Sequence, residues 1–264
     1  EPFRVRGAGG AGGKCTFAGV GKAREEIEYA LEKGVHSFNV ESEAELRYID
    51  QIAGAKRKKA RIALRANPDV DPHTHEYIST GSHENKFGIP LARLVATEEG
   101  AAALSNLEIV GVQMHIGSQI TEAAPFAEAV RKVAPVVRDL KARYGIEFFS
   151  IGGGLGIVYE SSVASGQGAW WQKGQQQLSI QQYVDALLPS LGELKIRILL
   201  EPGRLLVGNA GVLLTRVRYL KTTGQQTFVI VDAGMTDLIR PALSQSYHET
   251  VPVRTARAKS ACEK

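Results

Sequence analysis

Cysteine is nearly absent from this sequence: Cys15 and Cys262 are the only two in 264 residues, and they lie near opposite ends. That excludes a disulfide framework and any cysteine-rich metal motif, and it suits a reducing compartment. Apolar runs of membrane-spanning length are also lacking, as is a signal-peptide pattern at the start, so the expectation is a cytoplasmic chain with no membrane partner. Charge of one sign is scarce. The formal net charge is only +4, and the tail Arg254–Lys264 contributes much of it. With no basic face studded with aromatics, no nucleic-acid partner is expected.

Glycine, by contrast, is concentrated in two informative places. Ile151-Gly152-Gly153-Gly154-Leu155-Gly156 follows the apolar run Phe148–Ile151, and Glu201-Pro202-Gly203-Arg204 follows the apolar run Ile196–Leu200. A glycine loop after a strand lets backbone N–H groups close on a phosphate, because no Cβ blocks the approach. In a (β/α)8 barrel, the loops after the last strands are where a phosphate sits. A plain alternative stays open, since glycine runs also serve tight strand-to-helix turns.

Strand-like and helix-like segments alternate along the chain. Strands are read at Thr16–Val20, Val35–Val40, Arg61–Ala66, Glu108–His115, Phe148–Ile151 and Ile196–Glu201. Amphipathic helices are read at Lys22–Glu32, Ser42–Ile52, Leu91–Leu104, Pro125–Tyr144 and Ser179–Leu194. Ser42 with Glu45, and Ser179 with Gln182, have the spacing of capping boxes. This alternation predicts an α/β fold with a parallel sheet. A closed barrel needs eight strands, and the glycine-rich segment 1–14 has no alternating apolar pattern to supply the others. From about residue 211 strands follow without helices, at Val212–Lys221 and Thr227–Asp232, predicting a second, β-rich domain over 211–264 after a domain over 15–210.

Several motifs occur in order: Phe17-Ala18-Gly19-Val20-Gly21-Lys22, Phe38-Asn39-Val40-Glu41-Ser42, Arg65-Ala66-Asn67-Pro68, Asn85-Lys86-Phe87-Gly88-Ile89, His115-Ile116-Gly117-Ser118-Gln119, the glycine loop, Glu201-Pro202-Gly203-Arg204, and Asp232-Ala233-Gly234-Met235 with Ile239-Arg240-Pro241. As an ordered set they resemble the diaminopimelate decarboxylases, from about Phe17 to Val253. The resemblance implies a (β/α)8 TIM barrel, here without its first two strands, followed by the start of a C-terminal β domain. It also implies pyridoxal 5'-phosphate as cofactor, meso-diaminopimelate as substrate, L-lysine and carbon dioxide as products, and a homodimer.

By the same resemblance, Glu201 faces the cofactor's ring nitrogen, where a carboxylate favours the pyridinium by charge pairing. His115 packs on the ring, and Ser118 donates to the phosphate. Gly152, Gly153, Gly154, Gly203 and the backbone of Arg204 complete the phosphate cup, and Arg65 meets the phenolic oxygen. Arg204 and Arg240 face the substrate's carboxylates, a task suited to the planar guanidinium fork. Relatives that act on ornithine or arginine lack the Arg240 segment.

Three departures bear on activity. Where the family has a tyrosine four residues after the second arginine, this sequence has Ser244. The family's cofactor-bearing lysine segment has no counterpart, because Lys14 and Lys22 sit outside that motif. Nor does its catalytic cysteine segment, because Cys262-Glu263 lacks the matching surroundings. The expectation is a cofactor cup without its covalent anchor, and an inactive fragment.

Two other function classes stay open: a non-catalytic homologue that binds cofactor or a decarboxylase subunit, and a decarboxylase of another basic amino acid. Among single residues, His115 could be a hydrogen-bonded structural histidine, Glu201 and Arg204 could pair with each other, and Arg240 could be a surface cation. His73, His75 and His83 with Glu76 form a metal-like grouping, which we read as part of a Pro/Asp-rich loop that the family shares. Trp170 and Trp171, within the insertion Ser161–Gln177, read as packing anchors.

Overall fold

The structure, a computed structural model, describes residues 2–71, 86–159, 178–208 and 210–253. The chain divides into two units, Glu1–Leu155 with Leu178–Gly203, and Gly156–Gln177 with Arg204–Lys264. The histidine grouping around His73, His75 and His83, the tryptophan pair and Cys262 lie outside the described residues.

The first unit opens with α1 (Pro2–Gly7), β1 (Thr16–Phe17), α2 (Arg24–Lys33), β2 (Ser37–Val40), α3 (Glu43–Ala55) and β3 (Ala60–Asn67). It continues through β4 (Ile89–Pro90), α4 (Leu91–Ala102), β5 (Leu107–Gln113), α5 (Ala124–Tyr144), β6 (Phe148–Ser150), α6 (Ile180–Gly192) and β7 (Arg197–Leu199). Six strands form a parallel sheet in the order β1-β2-β3-β5-β6-β7, and β4 adds to the end of β3. The expected strand–helix alternation is therefore present, with six parallel strands of the type found in a partial TIM barrel.

Alternation along the strands sorts side chains into two faces. Outward, Phe38, Val40, Ile62, Leu64, Val112 and Phe149 join the buried cluster with helix residues such as Ile27, Ile49, Leu94, Val133 and Val137. Inward, Ala63, Val110 and Phe148 form a smaller cluster, with Leu199 packed against it. The register slips between Ile62 and Ala63 where β3 meets β5. Gly111 is needed there because a Cβ would collide with the Phe148 ring. The sheet curls: Asn39 on β2 bonds Glu201, just past β7, although three strands lie between β2 and β7 in the sheet order.

Local chemistry explains the element ends. Helices α2 and α5 stop at Gly34 and Gly145 in the left-handed conformation, φ 62° and 65°, which glycine adopts without Cβ strain. Ser179 and Gln182 form the reciprocal capping box expected of them. The other expected box is only half made. Ser42 Oγ accepts from Glu45 N, but the Glu45 carboxylate turns instead to Glu41 N and Lys22 Nζ, at 2.7 and 2.9 Å. The first strand ends at Phe17 rather than Val20, because Gly19 and Gly21 take positive φ and turn the chain.

In the second unit, α7 (Arg204–Val207) precedes an antiparallel hairpin of β8 (Val217–Thr223) and β9 (Gln226–Val231), followed by α8 (Arg240–Ser244). The expected strand Val212–Lys221 thus begins five residues later and runs to Thr223. No described helix is long and apolar enough to cross a membrane.

Candidate active site

The inward side chains at the C-terminal strand ends are mostly polar. Asn39, Arg65, Gln113 and Ser150 are all buried, and Asn39, Gln113 and Ser150 converge on Glu201. The Glu201 carboxylate accepts from Ser150 Oγ at 2.7 Å on Oε1. It also accepts from Asn39 Nδ2 on Oε1 and from Gln113 Nε2 on Oε2, each at 3.4 Å. Ser150 Oγ in turn accepts from Gly152 N at 3.3 Å. Its own proton is therefore free to point at Glu201, and the hydroxyl ties the carboxylate to the glycine loop.

That loop is threaded between neighbouring strand ends. Gly152 O accepts from Glu201 N at 2.8 Å, and Gly154 O from Ile120 N at 2.9 Å. A Cβ at Gly152 would strike the Met114 carbonyl, one at Gly153 the Glu201 carbonyl, and one at Gly154 the Gly117 carbonyl. These three glycines are thus required by backbone packing, whatever else they do. Gly203 differs. It is exposed, and a Cβ there meets nothing within 4 Å among the described residues.

His115 sits beside the loop, where Nδ1 accepts from Gly153 N at 3.3 Å. Burial, together with the nearby Arg65 guanidinium, pushes its pKa down to about 4, so the ring is neutral near pH 7. Arg65 is itself held: Nη1 donates to Glu41 Oε1 at 2.7 Å, and the guanidinium lies 4.9 Å from the Phe87 ring centroid. Gly88 N donates to the other oxygen of Glu41 at 2.9 Å. Ser118 is half-buried in the turn after Gly117.

Lys22, one of the two early lysines, is fully committed. Its Nζ donates to Gly19 O, Asn39 O and Glu45 Oε1 at 2.7, 2.8 and 2.9 Å, and its side chain is 1% exposed. All three ammonium donors are used, so it is a structural lysine rather than a free amine. Lys14 is exposed on the surface.

Arg204 and Arg240 both belong to the second unit, and there they share a residue the sequence reading passed over. Arg240 Nη1 donates to Tyr159 Oη at 2.7 Å. The two guanidinium groups lie 5.8 Å (Arg204) and 5.1 Å (Arg240) from the Tyr159 ring centroid. Burial, offset in part by Tyr159 and aided by the charge of Arg240, pushes Arg204 below its ordinary range. Ser244 turns its hydroxyl back to Arg240 O at 3.1 Å.

A strand-end carboxylate, a neutral histidine and a glycine loop stand at strand ends of a parallel α/β sheet, and residues 1–208 match the pyridoxal-binding domain of the pyridoxal-dependent decarboxylases. The chain belongs to that family. Within it, the chain is a homologue of diaminopimelate decarboxylase. It is 43% identical over 260 residues to that of Aquifex aeolicus, covering 98% of this chain and 59% of the relative. To that of Pseudomonas aeruginosa it is 45% identical over 255 residues, covering 96% and 58%.

The crystal structure of the Helicobacter pylori diaminopimelate decarboxylase complexed with L-lysine matches with a TM-score of 0.85 and 39% identity, over 94% of this chain and 59% of that one. A lysine decarboxylase from Selenomonas ruminantium, at 20% identity and a TM-score of 0.75, shares the fold. The chain thus spans about three fifths of the length of the curated relatives it matches.

Proposed function

We propose that this chain carries the cofactor- and substrate-facing residues of a decarboxylase that removes a carboxylate from meso-diaminopimelate, giving L-lysine and carbon dioxide. The observation that carries the reading is Glu201, held by donors from three strand ends beside a neutral His115. Pyridoxal 5'-phosphate, when bound, would take the electrons left by the departing carboxylate into its ring, a sink deepened by a protonated ring nitrogen.

The residues present fit that group. The Glu201 carboxylate is turned by two donors on Oε1 and one on Oε2, which leaves one acceptor site on Oε2 open for the ring N–H. His115 offers an uncharged flat face for the ring, so no cation is set against a pyridinium. By the family resemblance, Ser118, the loop Gly152–Gly154, Gly203 and the backbone of Arg204 would hold the phosphate. Arg204 and Arg240 would take substrate carboxylates, with Tyr159 orienting Arg240 through its hydroxyl. The homodimer is proposed from the family resemblance.

Gly203 gives the sharper test of the phosphate site, since a Gly153 side chain would already collide with the Glu201 carbonyl. Gly203→Ala should leave pyridoxal 5'-phosphate binding in equilibrium dialysis nearly unchanged. Gly203→Asp should weaken it at least about tenfold by placing like charge beside the phosphate, with the thermal midpoint unmoved in both. Equal affinity of Gly203→Asp and wild type would remove Gly203 from the cup.

A further inference from the structure

Three polar side chains around Glu201 have no role in the reading above beyond their contacts. Asn39, Gln113 and Ser150 are 0%, 1% and 0% exposed, and each donates to the Glu201 carboxylate. The two amides are expensive to keep there. Asn39 Oδ1 and Gln113 Oε1 are buried and find no hydrogen-bond partner among the described residues. Turning either amide over would aim its oxygen at a carboxylate oxygen, acceptor against acceptor, so the N–H side must face Glu201. Leucine and methionine have nearly the same shapes and would leave no amide oxygen stranded, so packing alone does not call for amides.

We infer that Asn39, Gln113 and Ser150 are positioning residues that fix the Glu201 carboxylate in the orientation that pairs with the cofactor's ring nitrogen. The inference rests on the reading of Glu201 proposed above. Ser150 and Asn39 hold Oε1 from β6 and β2, and Gln113 holds Oε2 from β5, so rotation about the last side-chain bond of Glu201 breaks contacts on both oxygens. The Ser150 hydroxyl, which receives the Gly152 N–H and gives its proton to Glu201, also makes the carboxylate's position depend on the glycine loop. The outer end of Asn39 is fixed as well, because Lys22 Nζ binds its backbone carbonyl.

The test compares two ligands that need no lysine: pyridoxine 5'-phosphate, and the analogue in which C–H replaces the ring nitrogen. The readout is the ratio of their dissociation constants by calorimetric titration of the chain. Wild type should favour the nitrogen-bearing ligand by about tenfold or more, the range of a charge-assisted hydrogen bond. Glu201→Gln should bring the ratio close to one. The double variant Asn39→Leu/Gln113→Met, and separately Ser150→Ala, should each lower it at least about threefold, the double variant leaving the affinity for the nitrogen-free analogue unchanged. Ser150→Thr, which keeps the hydroxyl, should restore it.

A wild-type ratio retained by all three clamp variants while Glu201→Gln collapses it would overturn the inference alone. A ratio unmoved by Glu201→Gln, or failure of wild type to bind either ligand, would overturn the underlying reading and the inference with it. Should the double variant not fold, Ser150→Ala against Ser150→Thr decides.

Discussion

His115 carries its proton only when the surrounding protein gives way, and this has a measurable sign. Its folded-state pKa, about 4, lies below the ordinary value of 6.5 because the charged ring is desolvated and faces Arg65. Between those two values the unfolded chain binds a proton that the folded chain refuses, so stability falls as pH drops from about 6.5 to about 4. Over the whole window the loss is at most about 3 kcal/mol from this residue. His36, also pushed down mainly by burial, acts in the same direction. The assignment therefore comes from a difference: urea midpoints at pH 5 and pH 7 should move apart less in His115→Gln than in wild type. Identical pH dependence in the two proteins would mean that His115 titrates normally in the fold.

The residues around Glu201 show what was legible at this scale. Glu201, His115 and the glycines stood out because they sit in motifs or carry unusual chemistry. Asn39, Gln113 and Ser150 had a quieter signal. Each is a lone polar residue between apolar neighbours on a strand: Phe38 and Val40, Val112 and Met114, Phe149 and Ile151. A strand covered by helices on one face should show its polar residues on the other, and a repeated apolar–polar–apolar triplet at strand ends marks an inward polar ring. The glycine loop had a different outcome. Its three glycines answer first to the carbonyls of Met114, Glu201 and Gly117, a long-range constraint that no local pattern could reveal.

Between elements, the buried Lys22–Glu45 pair links the turn after β1 to the first turn of α3 and, through the Asn39 carbonyl, to β2. Breaking such a pair strands a charge in a dry place. Lys22→Met should therefore cost several kcal/mol, about 3–5, measured by denaturant unfolding. Loss of the ammonium also frees the Asn39 carbonyl and the Glu41 end of the strand. A cost under about 1 kcal/mol would show that the lysine behaves as a surface ion pair. The elements themselves were readable from periodicity to within a few residues, because the helices bury one stripe and the strands alternate. The two-residue β4 and the short helices α1, α7 and α8 were not read, since elements so short show no period. The Ser42–Glu45 capping box failed for a physical reason: Glu45 meets a stronger, charged partner in Lys22 than the N–H of Ser42.

At the scale of the whole molecule, the distribution of contacts differs between the two units. The first has a continuous buried cluster. In the second, the hairpin leaves Val217, Tyr219, Leu220, Phe228 and Val229 exposed, and a two-stranded hairpin is marginal when it buries so little. Lys22 is spent on structural bonds, and we propose that no other residue here takes the place of the family's lysine. The chain by itself should therefore release no carbon dioxide from diaminopimelate above the cofactor's own background, in an assay following labelled carbon dioxide. Turnover at an enzymatic rate would direct attention to Lys14.

Joined to the further segments that the longer relatives carry, the same residues should select a substrate with a second carboxylate. Arg204 and Arg240 are gathered at Tyr159, and two guanidinium groups kept together against their repulsion are suited to an acidic partner. Arg240→Ala in that joined protein should lower kcat/KM for diaminopimelate roughly ten- to hundredfold, the range of a lost charge-assisted contact. Turnover of lysine-like substrates with a single carboxylate should change much less. Tyr159→Phe, which removes only the hydroxyl that accepts from Arg240, should fall in between and act mainly through KM. Ser244→Tyr should raise diaminopimelate use if the position contacts substrate as it does in the family the chain resembles. A joined protein that prefers ornithine or arginine, or is indifferent to the loss of Arg240, would leave the cofactor reading standing and remove diaminopimelate as the substrate.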